Sequence, residues 1–159
     1  MTTLDRLVLP LRVFLVLLFA GLLVGQFFSF PGQFAHLAQE EPDLAHLRWP
    51  LTAFAFAELL CVQVVIVCTW RLLTLVRSDR IFSTESFRWV DAILGAMITG
   101  WLLLVGLAVF VFTQSDDPGT PALFAGLVLT GAVVILLMAV MRALLRQATT
   151  LRTDLEAVI

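Results

Sequence analysis

Four stretches of the chain hold almost nothing but Leu, Val, Ala, Ile and Phe, and the polar positions between them gather into short islands. The apolar runs cover roughly 8–30, 50–73, 87–112 and 122–145. Each is long enough to cross a hydrocarbon core as a helix, which takes about 20 residues. None has the narrow alternating stripe of a soluble core. The pattern predicts an all-α integral membrane four-helix bundle forming a single membrane domain, with a tail at 146–159.

The islands predict the connections. "PGQFAHLAQEEPDLAHLRWP" opens and closes with proline, which disfavours helix at both borders. "QSDDPGTP" packs turn residues into a crossing that suits only antiparallel neighbours. In "SDRIFSTESFRWVD", Ser83 is placed as the N-cap of the third span, with Phe82 and Phe87 at the spacing of a hydrophobic staple. Glu85 suits the positive end of the helix dipole, and Trp89 suits an interface, with Arg88 and Asp91 near the border. Ser86 stands where a capping box needs Glu or Gln, so that box is incomplete.

Composition agrees with a lipid solvent. With 60% hydrophobic residues, 14% charged residues and a mean hydropathy of +1.00, the chain has too little polar surface to cover a soluble globule. Charge then orients the spans. All ten cations are arginine, and nine of them (Arg6, Arg12, Arg71, Arg77, Arg80, Arg88, Arg142, Arg146 and Arg152) flank one side, leaving Arg48 on the other. The positive-inside rule puts both termini and the central connector in the cytoplasm. Glu40, Glu41, Asp43, Asp116 and Asp117 lie in the outer loops. The basic side carries carboxylates too, so nothing points to direct nucleic-acid binding. Arg6 and Arg12 before an apolar run resemble a signal peptide, but no small-x-small cleavage site follows, and an uncleaved first span is expected.

Candidate chemistry is sparse. Glu58 lies about 12 Å into the second span at 1.5 Å per residue, where a carboxylate costs roughly 2.5–3.5 kcal/mol. It must face the bundle interior, be protonated or touch a water-filled cavity, either bonding structurally to Gln63, Gln26 or Thr99 or sensing a proton or ligand. Gln63 is five positions on, about 140° around the helix, so a polar cluster needs other helices. Cys61 and Cys68, one heptad apart, are about 10.5 Å apart along the axis, beyond the roughly 7 Å limit for a bridge; packing is their ordinary role. A helix over 36–46 would bring His36, Glu40, Asp43 and His46 to one side as metal ligands, but Pro42 interrupts it, and no metal or cofactor is implied. HExxH, GxSxG and P-loop patterns are absent, and apart from Asp91 at a border the spans supply no second carboxylate, so no enzyme is expected. Gly21/Gly25 and Ala96/Gly100 have the spacing for close helix approach, within one chain or in a homo-oligomer.

Past the last span, Leu144, Ala148, Leu151, Leu155 and Val158 recur every three or four residues, an apolar stripe on a continuing helix. It either folds back on its own bundle or docks a cytoplasmic protein. Together "LRWP", "CVQVVIVCTWRLLTLV", "DRIFSTESFRWVDAILGA" and "RALLRQATTLRTDLEAVI" make the chain resemble the domain-of-unknown-function 2975 family of small bacterial membrane proteins. "RIFS" with "RWVD" is the most specific part. The resemblance implies four membrane helices in the bacterial plasma membrane, cytoplasmic ends, no established enzymatic activity and a helix-turn-helix regulator encoded nearby. The expected function is a non-enzymatic sensor of a lipid or lipophilic signal, using Glu58 and Gln63 inside the membrane. Arg77, Arg80, Phe82 and Arg88 of the 77–91 connector, with Leu151, Leu155 and Val158 of the tail, would dock that regulator. The alternative is a small transporter, channel or immunity-type protein built on Glu58.

Overall fold

A computed structural model describes residues 3–40, 42–78, 83–115 and 117–159, and the described chain is helical. Five α-helices follow in order: α1 (Thr3–Val24), α2 (Phe30–Glu40), α3 (Arg48–Arg77), α4 (Thr84–Gln114) and α5 (Gly119–Val158). A π-helical turn, Gly25–Ser29, joins α1 to α2, and a 3-10 turn, Pro42–Leu47, precedes α3. Four segments are long and apolar enough to cross a bilayer: Leu7–Gln33, Ala45–Arg77, Thr84–Gln114 and Gly119–Val158. This is a multi-pass membrane protein, and its exposed surface fits that solvent, with Leu129, Leu136 and Leu137 of α5 each 60% or more exposed.

The prolines act differently from expectation at one border. Helix continues through Pro31, the second residue of α2, instead of stopping there. The π turn explains this: the N–H of Phe30 reaches back to the carbonyl of Gly25, so the ladder has already slipped by one residue where proline withholds its donor. Pro50 falls in the first turn of α3, where backbone N–H groups have no helical partner to lose. Pro42 opens the 3-10 turn, so His36 and His46 belong to different elements.

The long helices pack mainly with their neighbours in sequence. Central α3 has α1 and α2 against one side and α4 against the other, while among the described residues α5 approaches only α4. Buried apolar side chains are few: Val8, Ile66, Cys68, Leu75, Val90 and Ile93. Small residues are used selectively. A side chain on Gly100 of α4 would meet Glu58 Oε2 at 3.2 Å and Cys61 Cβ at 3.5 Å, whereas Gly21 has open space around it. Close approach of backbones is therefore built at α3–α4, not along the Gly21/Gly25 pair.

Both ends of α4 are defined locally. Ser83 is its N-cap by backbone geometry, but its hydroxyl makes no capping bond and is buried without a partner. Instead the Ser83 carbonyl accepts both from the Ser86 N–H, at 3.1 Å, and from the Ser86 hydroxyl, at 2.7 Å. The Phe82 half of the expected staple lies outside the described residues. At the other end, Asp117 Oδ2 accepts from the Thr120 N–H and hydroxyl at 3.2 and 3.3 Å, organising the first turn of α5. These backbone donors hold the Asp117 carboxyl below its ordinary pKa, the Gly119 N–H first and Thr120 next.

Candidate functional site

Glu58 stands in the wall of a trough of about 380 Å³ formed by α3, α4 and α5. Its position follows from the spacing of small residues. Gly100 leaves room for the Glu58 carboxylate against α4, and Cys61, one turn further along α3, packs at the same point. Oε1 is buried and has no hydrogen-bond partner. An acceptor left unpaired in an apolar setting costs on the order of 1–3 kcal/mol.

The far wall depends on Trp101. Its indole Nε1 donates to the Val128 carbonyl of α5 at 2.8 Å, and its ring lies against Gly131, where any Cβ would come within 2.7 Å of Cδ1. Tryptophan within a span needs a partner for its N–H, and a helix carbonyl with a spare lone pair supplies one. Thr130, Gly131 and Val134 carry the α5 side of the trough. Thr99 does not join Glu58; its hydroxyl returns to the Gly95 carbonyl of its own helix at 2.9 Å.

Gln63 also belongs elsewhere. It is buried at the α1–α3 side, where its Nε2 donates to Gln26 Oε1 at 2.7 Å, and Gln26 Nε2 donates to the Phe56 carbonyl at 3.5 Å. Gln26 reaches inward from the π turn, whose wider winding places it among α3 atoms. One amide thus donates to the other and the second to the backbone, which gives each a partner inside the span. Glu58 and Gln63 thus serve two separate polar sites on opposite sides of α3.

Arginines also tie α1 to α3, α3 to α4 and α4 to α5. Arg12 of α1 bonds through Nη2 to the Thr74 hydroxyl at 3.1 Å and lies 5.0 Å from the Trp70 ring centre. Arg71 lies 5.7 Å from the ring of Trp89 on α4. Asp91 of α4 pairs with Arg142 of α5. Of the proposed docking residues, Arg77 and Arg88 are exposed, while Arg80 and Phe82 lie outside the described residues. Leu151, Leu155 and Val158 are 61%, 68% and 86% exposed. The tail does not fold back on the bundle: α5 is one uninterrupted helix to Val158, with no buried residue.

The family pattern described as "Protein of unknown function (DUF2975)" matches residues 32–159. The chain belongs to this family. The matched region holds α3, α4 and α5, and hence the whole trough, while α1 precedes it. No curated protein and no solved structure matches the chain.

Trp101 and Gly131 escape a reading of sequence. The available sign is a tryptophan in mid-span rather than at a border, but which glycine receives it depends on how α4 and α5 are paired. Arg12 is legible as a topology residue; its stacking on Trp70 is not.

Proposed function

We propose that this DUF2975 member is a non-enzymatic membrane sensor of a lipophilic molecule carrying a hydrogen-bond donor or a positive charge. The unpartnered Glu58 oxygen in a trough that is open rather than enclosed carries this reading. A ligand entering from the bilayer buries its apolar body against Val134 and Leu104 and gives its donor to Glu58.

The same helix that closes the trough carries the output. From Thr130 to Val158 α5 is continuous, a distance of about 42 Å at 1.5 Å per residue. Its polar ties to α4 are the Trp101–Val128 bond and the Asp91–Arg142 pair. An occupant pressing on Gly131 and Val134 favours one placement of α5 over another, and the rigid helix moves the tail with it. By the arginine asymmetry this end faces the cytoplasm of a bacterial plasma membrane. There Leu151, Leu155 and Val158, with Arg77, Arg80, Phe82 and Arg88 of the connector, dock a helix-turn-helix regulator, a partner suggested by the family resemblance. A transport role for Glu58 has less support, because the Gln26–Gln63 pair lies on the other side of α3 and does not extend a polar path from it.

Affinity purification from native membranes tests the reading, comparing full-length protein, a chain ending at Arg146, and Glu58→Gln. A helix-turn-helix protein should be recovered with the full chain, lost with the truncation and recovered in altered amount with Glu58→Gln. Recovery with none of them, together with Glu58-dependent proton or solute flux in liposomes, would replace sensing by transport.

A further inference from the structure

A second groove, on the opposite side of α3 from the trough, has a different chemistry. It holds about 350 Å³ between α1 and α3 and is lined by apolar side chains such as Leu15, Phe19, Leu23 and Ile66, ending at Trp70 and Arg71. From Leu15 to Leu23 it runs about 12 Å along the helix axis, close to the depth of one leaflet in a core of about 30 Å. One turn beyond Leu23 the buried Gln26–Gln63 pair closes the way deeper.

Two cations beside this groove are not neutralised by a carboxylate. Among the described residues neither Arg12 nor Arg71 has a carboxylate partner, the ion pairs being Arg142–Asp91 and Arg152–Glu156. Arg12 lies over the ring of Trp70, itself part of the groove, and its Nε is buried without a hydrogen-bond acceptor. A guanidinium in that position favours an anionic oxygen, and phosphate geometry suits it.

We infer that the α1–α3 groove holds one acyl chain of an anionic phospholipid, with the lipid phosphate held by Arg12 and Arg71. The apolar groove takes the chain, the arginines select the headgroup, and the tryptophan between them sits at the level of the ester region. This site does not depend on Glu58 or on the tail.

Native mass spectrometry of the full-length protein in neutral detergent tests it, with phosphatidylglycerol, phosphatidylcholine of the same chains, and glycerol phosphate offered separately. Phosphatidylglycerol should be retained about 25-fold better than phosphatidylcholine, taking about five-fold for each arginine, and glycerol phosphate not at all. Arg12→Gln combined with Arg71→Gln should erase the preference. Ala20→Trp, which fills the groove and leaves both arginines in place, should abolish retention. Phosphatidylglycerol with brominated chains should also quench Trp70, read as the difference from Trp70→Phe. Equal retention or equal quenching by the two lipids, capture of glycerol phosphate without a chain, or undiminished retention in Ala20→Trp overturns the inference. The last variant decides the matter even if the double arginine variant fails to fold.

Discussion

Trp101 and Gly131 form a matched pair across α4 and α5: the indole fills the space a side chain on Gly131 would need and hydrogen-bonds the backbone one turn away at Val128. This contact and the Asp91–Arg142 pair are, among the described residues, polar ties of a helix that has no buried residue. These two contacts are therefore where α5 is most directly tied to α4.

Gly131→Val should therefore loosen α5 selectively. Its branched side chain drives the indole off the Val128 carbonyl, and the lost bond is worth about 0.6 kcal/mol, at most about 1.7, on top of the packing lost. Unfolding in mixed micelles followed by Trp fluorescence should show a lower midpoint, with Trp101→Phe adding little further loss. An additive double mutant would mean that the two residues do not act on one contact.

The two buried glutamines should behave as a unit. Gln63→Leu strands Gln26 Oε1, and Gln26→Leu strands Gln63 Nε2, so either alone should cost about 1–3 kcal/mol. The double change to leucine removes both orphans and should be milder than the sum of its parts. A double-mutant cycle on stability in detergent measures this, and a coupling of zero would show the amides are not paired in solution.

Asp91→Asn should be tolerated by the fold. Both side chains are substantially exposed, 48% for Asp91 and 33% for Arg142, so solvent screens the pair and it adds little to stability. Its effect should appear instead in spin-label distances between the start of α4 and α5 near Arg142, which should broaden. Raising salt should broaden them in the parent protein as well, and narrow distributions throughout would remove the pair as a tie.

The cap at Asp117 predicts a pH response. Because hydrogen bonding lowers its pKa in the folded protein, the carboxylate contributes stability above the unfolded value and loses it as pH falls through the folded one. The Thr120 amide resonance should thus stay constant through neutral pH and titrate with a midpoint under about 3.9, the ordinary value for Asp. Asp117→Ala should abolish the titration and fray the first turn of α5. A midpoint at or above the ordinary value would mean the cap does not form.

Much of the architecture was legible because lipid leaves a chain few choices: backbone groups must be satisfied within each span, so long apolar runs become helices. The borders were less legible. Pro31 reads as a stop, yet an upstream π turn removes its cost, and that turn has no plain mark in "GQFFS". Glu58 stood out as a lone carboxylate in a span, but its companions did not: Gln63, its nearest polar neighbour in sequence, faces Gln26 across another interface.

By itself the sequence determined which segments are helical and apolar, the gathering of arginines at span borders, and the continuous stripe of the tail. These are properties of each segment in its solvent, written locally as hydrophobicity, charge and period. Only the tertiary structure decided that α3 separates two polar sites, that Gly100 admits Glu58 and Gly131 admits Trp101, and that among the described residues α5 rests on α4. Those facts depend on rotation and register between helices far apart in the chain, and in a uniformly apolar medium they are set by the shapes of a few small and large side chains that no periodicity reveals.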